Sequence, residues 1–436
     1  MNRPSAQIEL RGHLLDSLTL AKVLDVIQQA GGEYALEDMS VGERKEMFSR
    51  ARLTVTGQDE SHLSNLLEAL KPYGTVGVDV PEWVRPVHGS ATVHMRGDLI
   101  DGLSLARAID TIQRLGGGFR LENLCVGKTK AEPSTATLNI TAPTEVVLTQ
   151  ILQSLEGTVT LEESSRPHIL MCPPDYFEVA YSINPWMKAT DAVNVSTARA
   201  QWDALKQVIE AAGAKVSEMP AQPGLPDLVF TANAAFMFRN KAIVARYRFP
   251  ERQGEEPHVV HWLTQQGFEV MTLPKNLYFE GAGDALILQD RVLAGYRTRT
   301  DIQAHNFLTA ETGLPVLSLE LTHSRFYHVD VCLCPLSDGS LIYAPDAFDS
   351  YGNAVIEANV PAAKRIPVTL EEASRFACNA VNILDTVILN QGSERLNAEL
   401  KSRGFHVVPL DMSEFLKSGG SSKCLTLRLN PVVSAF

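Results

Sequence analysis

The sequence predicts an α/β protein in two parts, and three observations carry that reading. A motif near the amino terminus recurs at a fixed offset of 85 residues, from Arg11 to Arg96 and from Gly31 to Gly116. Beyond the polar stretch Glu162-Glu-Ser-Ser-Arg-Pro167, short apolar runs alternate with amphipathic segments. Close to the end, Gly419-Gly420-Ser421-Ser422-Lys423-Cys424 places a single cysteine before the alternating run Leu425, Leu427, Leu429.

Composition sets limits before any motif does. A chain of 436 residues can hold two or three domains. With 39 basic against 51 acidic residues the net charge is −12, so no basic excess exists to neutralise phosphates. That argues against nucleic-acid and anionic-membrane partners and leaves room for a small cationic substrate. No apolar run approaches the ~18 residues of a membrane span, and Met1 to Gln7 lack the apolar core of a signal peptide. The six cysteines (Cys125, Cys172, Cys332, Cys334, Cys378, Cys424) are scattered, with no CxxC pair and no zinc spacing. Free thiols in a reducing cytoplasm are the simplest expectation, with no metal and no cofactor.

The repeated part reads the same way in each copy. A strand (Ile8 to Arg11; Thr92 to Met95) leads into a helix. In the first copy Leu18, Ala21, Leu24 and Ile27 form an apolar stripe at helical spacing, and Gly31-Gly32 ends it. Strands near Tyr34 to Met39 and Ala51 to Val55, a helix near Ser61 to Leu70 and a strand near Val76 to Val80 complete a βαββαβ order of ferredoxin-like type. Asp16 and Asp101 precede the helices and are expected to cap them. Repeats of about 5–80 and 90–162 make up a first domain, 1–165.

From His168 onward the strand candidates are Leu228 to Phe230, Ala234 to Phe238, Ile243 to Ala245, Val270 to Leu273, Ala285 to Leu288, Val292 to Gly295, Val331 to Pro335, Leu341 to Tyr343, Val387 to Leu389 and Val407 to Pro409. Helices fit at Thr197 to Ala211, His258 to Gln266, Asp301 to Thr312, Leu370 to Ala380 and Ser393 to Arg403. Strand pairs precede a helix that returns to another strand, a repeated ββαβ unit that suggests a closed α/β propeller over 166–436. No G-x-G-x-x-G follows a strand and no P-loop lysine is present, which disfavours nucleotide binding.

Polar residues gather at the strand ends. Asp227 and Asn233 flank a short apolar run; Glu280 and Asp284 flank small residues; Tyr327-His328-Val-Asp330-Val-Cys332-Leu-Cys334 puts polar or thiol groups at period two, on one face if extended. Those four could ligate a metal, but neighbours on one face of a strand sit ~7 Å apart, too far to converge on one ion. Asn184 lies in a loop, and Arg299 offers a guanidinium suited to a carboxylate. The Gly-Ser loop would hold the Cys424 sulfur beside free amides and Lys423, surroundings that lower a thiol pKa. A buried, inert thiol is the competing reading. Together these groups suit a guanidinium substrate: its carbon is a poor electrophile, so carboxylates must grip the cation, a thiolate attack it and a histidine protonate the departing amine. The cation would itself favour the thiolate.

On the motifs Phe230-Thr-Ala-Asn233, Glu280-x-x-x-Asp284, Gly295-x-x-x-Arg299-Thr300, His328-x-Asp330 and Gly419-Gly420-Ser421-Ser422-Lys423-Cys424, the second part resembles the guanidino-group-modifying (pentein) superfamily, and within it the arginine dihydrolases. The resemblance implies a five-bladed propeller, Cys424 as nucleophile, His328 as general acid and base, and Glu280 and Asp330 on the guanidinium. It also implies Arg252 and Arg299 on the substrate carboxylate, with Asn184, Asp227 and Asp284 lining the pocket. Deiminases of this superfamily carry aspartate where Asn233 stands. An amide can accept from a guanidinium and then donate to a ureido oxygen, so two successive hydrolyses of L-arginine to ornithine, two ammonia and carbon dioxide are implied. A deiminase, an amidinotransferase and a non-catalytic amino-acid sensor are the alternatives. The repeated part resembles a domain of lysine-ketoglutarate reductase/saccharopine dehydrogenase-type proteins on its Arg-Gly-x-Leu-[Leu/Ile]-Asp motif. Effector binding or oligomerisation, and hence a homo-oligomer, is the corresponding expectation.

Overall fold

In the first repeat, alternation decides the sheet. Along strand Ser49–Thr56 every second residue (Ser49, Ala51, Leu53, Val55) is buried. This strand is central, antiparallel to Ser5–Gly12 on one side and to Glu33–Ser40 on the other. Helix Thr19–Gln29 covers it with Leu20, Val23 and Ile27, while Ala21 faces out. The buried stripe is therefore rotated from the one the spacing predicted. Burying three such side chains contributes roughly 5–8 kcal/mol. Gly31, at φ +79, ends the helix, and the Gly32 amide donates to Ile27 O at 2.9 Å. Asp16 does not cap it: Leu18 occupies the N-cap position in left-handed conformation, with no side-chain cap bond.

The chain is seen in a computed structural model that describes residues 3–41, 48–73, 89–97, 99, 104–125, 134–142, 151, 154–155, 167–188 and 190–431. The second repeat shows the same strand order, with Ser134–Ala142 between Gly89–Gly97 and Gly118–Cys125 and helix Ser104–Arg114 in the corresponding place. The strand expected near Val76 to Val80 and the cap expected at Asp101 lie outside the described residues.

From His168 the fold is a mixed α/β arrangement of five separate three-stranded sheets. Four share one pattern. An antiparallel hairpin is followed by a helix, and the returning strand pairs parallel with the second hairpin strand. Ala235–Phe238, Lys241–Val244 and Glu269–Met271 form the first of these, with helix Glu256–Gln265 as the crossover. The fifth sheet joins the two ends of this part: Leu427–Arg428 lies antiparallel to His168–Met171, which is parallel to Lys215–Glu218. No sheet closes on itself among the described residues. Leu228 to Phe230, expected as a strand, instead closes the 3-10 turn Pro226–Val229 with Phe230 as its C-cap, because Pro226 starts a helical turn more readily than it joins a ladder. The helix expected over Leu370 to Ala380 stops at Ser374, and the strand after Cys424 shrinks to Leu427–Arg428. Helix Ser350–Asn359 was not anticipated. No helix among the described residues is long and apolar enough to cross a membrane.

The first repeat docks on the second part through a buried charge. The Lys22 ammonium sits between the carboxylates of Glu320 and Asp349, and Glu320 also receives Arg297. Ser17 Oγ accepts from the Ser318 amide at 3.0 Å, and Asn306 Nδ2 donates to Arg11 O at 3.3 Å. Lys22→Met would leave Glu320 buried with one cation fewer, at a cost of about 3 kcal/mol. Urea unfolding should show that loss; an unchanged midpoint would mean that this ion pair does not hold the two parts together.

Candidate active site

Each sheet of the second part starts after a tight turn, and the five turns bring the polar residues together. The 3-10 turn Thr231–Asn233 precedes Ala235–Phe238, the single helical turn Gly281–Asp284 precedes Ala285–Leu288, and the 3-10 turn Val329–Val331 precedes Leu333–Pro335. A turn over Arg375 to Cys378 delivers Asn379 ahead of Val381–Ile383, and the turn Ser422 to Leu425 delivers Cys424 ahead of Leu427–Arg428. Short helical turns aim side chains across the ends of the strands rather than along their faces.

The extended row expected from His328 to Cys334 is therefore broken. The turn at Val329–Val331 separates its members: Cys332 Sγ faces Val329 O at 3.4 Å and Cys334 Sγ faces Ala380 O at 3.3 Å, both away from the site. Among the described residues no group of three His, Cys, Asp or Glu is arranged to hold a metal.

Cys424 is buried. Its sulfur lies 3.5 Å from Asp330 Oδ2 and accepts from Asn379 Nδ2 at 3.1 Å. Asn379 also holds the backbone: its Oδ1 accepts from the amides of Lys423 at 3.1 Å and Cys424 at 3.2 Å, and its Nδ2 donates to Asp330 O at 3.0 Å. Those amides are thus occupied, contrary to the expectation of free donors in the Gly-Ser loop. Burial, and then the Asp330 charge, push the Cys424 thiol well above its ordinary range; Lys423 opposes them and does not win. The same burial raises the Asp330 carboxyl to about 6. Gly419 is needed for close approach: it sits at φ +80, and a Cβ there would meet Asn184 Oδ1 at 2.8 Å.

His328 is fully enclosed. Nε2 lies 2.7 Å from Glu280 Oε2 and Nδ1 lies 3.3 Å from Asn233 Nδ2. Asn233 Oδ1 accepts from Arg252 Nη1 at 2.8 Å, which fixes the amide with its nitrogen toward the histidine. Nδ1 is then an acceptor, and Nε2 carries the proton shared with Glu280. Burial lowers His328 to about 4 although Glu280 acts to raise it, so the ring is neutral at pH 7. Burial alone would raise Glu280, but Arg299, His328 and Arg252 override it and hold the acid well below the carboxylate range. Asp284 is pushed well up by burial; it accepts from Thr300 Oγ1 at 2.7 Å and from the Val329 amide at 3.1 Å.

The two arginines are largely committed to the protein. Arg252 grips Glu255 in a fork, with Nε and Nη2 each 2.8 Å from a carboxylate oxygen. Arg299 donates to Glu280 Oε2 at 2.8 Å and to Ile183 O at 2.9 Å, between the rings of Phe249 and Tyr327. Its Nε and Asp330 Oδ1 are buried polar atoms without a hydrogen-bond partner among the described residues. Asn184 Nδ2 donates to Ser418 O at 3.0 Å, and burial raises the Asp227 carboxyl.

A cavity of about 10 Å³, room for about one water, lies beside Cys424. Asn184, Asp227, Asn233, Arg252 and Arg299 also line it. Glu280, His328 and Asp330 stand immediately behind that lining, bonded to Arg299, Asn233 and Cys424 respectively, and Asp284 lies one step further, with Oδ2 4.0 Å from His328 Nε2. The ten predicted residues thus fall in one cluster, buried except for the half-buried Asn184. Asn379 and Glu255 belong to it and were not anticipated. The turn repeated ahead of each first strand is the signal that would have found Asn379, and the i,i+3 spacing to Arg252 the one for Glu255.

Asp330 places a cost on the fold that pH can reveal. Its folded pKa of about 6 stands above the ordinary 3.8, so the folded chain holds the proton more tightly. Stability should therefore fall as pH rises through that window, by on the order of 3 kcal/mol. Asp330→Asn should remove that loss, raising stability above pH 6. Urea unfolding at pH 4 and pH 8 checks it, and a variant no more stable at pH 8 would contradict the burial argument.

Comparison with known proteins fits this geometry. Residues 5–86 and 90–168 each match the LOR/SDH bifunctional enzyme conserved region, and residues 174–430 match the family described as N,N dimethylarginine dimethylhydrolase, eukaryotic. The bifunctional arginine dihydrolase/ornithine cyclodeaminase AgrE of Nostoc sp. is 44% identical over 273 residues, 62% of this chain and 39% of that protein. The chain thus spans about two fifths of the length of that relative. The N(G),N(G)-dimethylarginine dimethylaminohydrolase of Mycobacterium tuberculosis is 43% identical over 261 residues, 60% of this chain and 85% of that enzyme. Among solved structures, the substrate-bound N-terminal domain of ArgZ, an arginine dihydrolase from the ornithine-ammonia cycle in cyanobacteria, superposes with a TM-score of 0.59 at 44% identity. That match covers 60% of this chain and 98% of the ArgZ domain. With more than half its length matched by the family and 85% of a 43% identical member covered, the chain belongs to the N,N dimethylarginine dimethylhydrolase family.

Proposed function

We propose that the chain hydrolyses the guanidinium group of L-arginine in two rounds, without a cofactor, giving ornithine, two ammonia and carbon dioxide. The observation that carries this reading is the contact of the Cys424 sulfur with Asp330 at 3.5 Å, beside a cavity lined by amides, an acid and two arginines. The likeness to AgrE and ArgZ, both named as arginine dihydrolases, supports it. Residues 166–436 form the catalytic domain, their five sheets acting as the blades of an α/β propeller. Residues 1–165 form a duplicated ferredoxin-like domain that serves assembly or effector binding in a cytoplasmic homo-oligomer.

In this scheme the arriving guanidinium donates its first hydrogen bonds to Asp330 Oδ1, an acceptor without a partner among the described residues, and to Glu280. Its positive charge offsets what raises the thiol pKa, and Cys424 ionises against it. The neutral His328 ring takes the thiol proton and delivers it to the departing ammonia. The carbon is then held by the sulfur, and water cleaves that bond to give the ureido group and free the thiol. The second round repeats these steps on the ureido carbon; overall, arginine and two waters become ornithine, carbon dioxide and two ammonia. Arg299 Nε and the remaining Arg252 donor orient the substrate carboxylate, and Asn184, Asp227 and Asp284 shape the pocket.

Asn233 decides where the reaction stops. Its amide joins Arg252 to the acceptor nitrogen of His328, a contact that suits the neutral ring that burial sets. A carboxylate there would favour the imidazolium and could not donate to a ureido oxygen. A second reading, hydrolysis of methylated arginine, is favoured by the family matched and by the relative from Mycobacterium tuberculosis.

Time-resolved product analysis separates these possibilities. Arginine should give ornithine with two ammonia, and Asn233→Asp should accumulate citrulline several-fold over ornithine. Citrulline with one ammonia from the unaltered chain would overturn the two-round reaction. An unchanged ornithine yield in Asn233→Asp would refute the amide argument. Turnover of dimethylarginine alone would establish the second reading.

A further inference from the structure

The strands that carry the site also enclose a second cavity, which the proposed reaction does not use. Its volume is about 300 Å³, at the lower end of small-molecule pockets. Four of the five sheets contribute Met237, Leu286, Leu333 and Ile383 to a wall that is mostly apolar, and the fifth contributes Leu427 and Arg428.

The charge in this cavity runs against that of the chain. Lys423 and Arg428 both line it, and among the described residues no Asp or Glu does, although acids outnumber bases by 51 to 39 overall. Neither cation forms an ion pair among the described residues. Lys423 Nζ donates to Thr426 O at 3.3 Å and Arg428 Nε to Asn430 O at 3.3 Å. Burial lowers the Arg428 pKa, the mark of a guanidinium drawn out of water with no carboxylate to offset the loss. Two cations without an ion pair among the described residues, set in an apolar wall, define the chemistry of a complementary ligand.

We propose that this cavity binds a small carboxylate with a short apolar body, its head on Lys423 and Arg428, and that occupancy slows turnover at Cys424. The coupling is short-range. Lys423 precedes Cys424 in the chain, and its charge opposes the burial that raises both Asp330 and Cys424. A bound anion would cancel that help and leave the thiol harder to ionise. The inhibitory half rests on the reaction proposed above, and the binding half does not.

Sodium hexanoate is the probe, titrated into the full chain by calorimetry, with hexanol and sodium chloride at matched ionic strength as controls. Hexanoate should bind and hexanol should not. Arg428→Gln should weaken binding about ten-fold or more, the loss of one charge-assisted hydrogen bond. Leu384→Glu adds an acid at a rim position that is 57% exposed and should weaken binding without repacking the core. In turnover assays hexanoate should lower kcat for arginine at unchanged KM, and less so in both variants. Absent binding, equal binding of hexanol, or unchanged affinity in both variants would overturn the site. Binding with unchanged turnover would overturn the inhibition alone. Binding by a protein that turns over no guanidino compound would leave the site standing and remove the proposed reaction.

Discussion

A thiol and a carboxylate share a dry site, and the rest of the structure depends on how that contact is held. Cys424 and Asp330 lie within 3.5 Å, both essentially inaccessible. Burial raises the proton affinity of both, and the Asp330 charge raises that of the Cys424 thiol further, while the thiol's hydrogen bond to Asp330 only partly offsets the burial of the carboxylate. The resting state is therefore a protonated thiol beside a carboxyl that titrates near neutrality. A planar cation would relieve both burdens at once, and in the proposed reaction the substrate itself completes the nucleophile.

Holding this arrangement takes a second layer of polar groups. Asn379 is the hinge of that layer: one amide reaches the sulfur, the backbone on both sides of the Lys423–Cys424 bond, and the backbone of Asp330. Across the cluster, Glu280 is bound between Arg299 and His328, while Arg252 is bound between Glu255 and Asn233. Glu280 and Glu255 thus each meet an opposite charge in good geometry, the condition under which burial of ions is tolerated. Asp330 is held differently, with one oxygen left without a partner among the described residues. The stability lost at that oxygen is the counterpart of its availability to a ligand.

Much of this was legible in the sequence, for reasons of different kinds. Hairpins such as Ala285–Leu288 with Arg291–Tyr296 show in the pattern because their strands are short apolar runs on either side of a polar turn. Asp227, Asn233, Glu280, Asp284, His328, Asp330 and Cys424 stood out as polar or thiol groups near small or apolar residues at strand ends, whereas Arg252 came only from the family resemblance. Asn379 did not, because its partners lie 45 and 49 residues away and only the turn repeated from sheet to sheet marks its place. The loop amides of Lys423 and Cys424 looked free for the same reason: their acceptor comes from another sheet. Local spacing also misjudged Val329–Val331, where a 3-10 turn replaces the extended chain that alternation suggested. Tertiary contact settles such short segments, and alternation over a few residues cannot.

The ionisation of Cys424 tests the account most directly. Thiolate absorbance of the unaltered chain, with a Cys424→Ala reference subtracted, can be followed from neutral to alkaline pH with and without guanidinium ion at millimolar concentration. The account predicts no Cys424 thiolate below about pH 8.5, the ordinary cysteine value, in the free protein, and its appearance near neutrality once the cation binds. A thiolate already present at neutral pH without a cation, or a bound cation that leaves the thiol protonated, would contradict it.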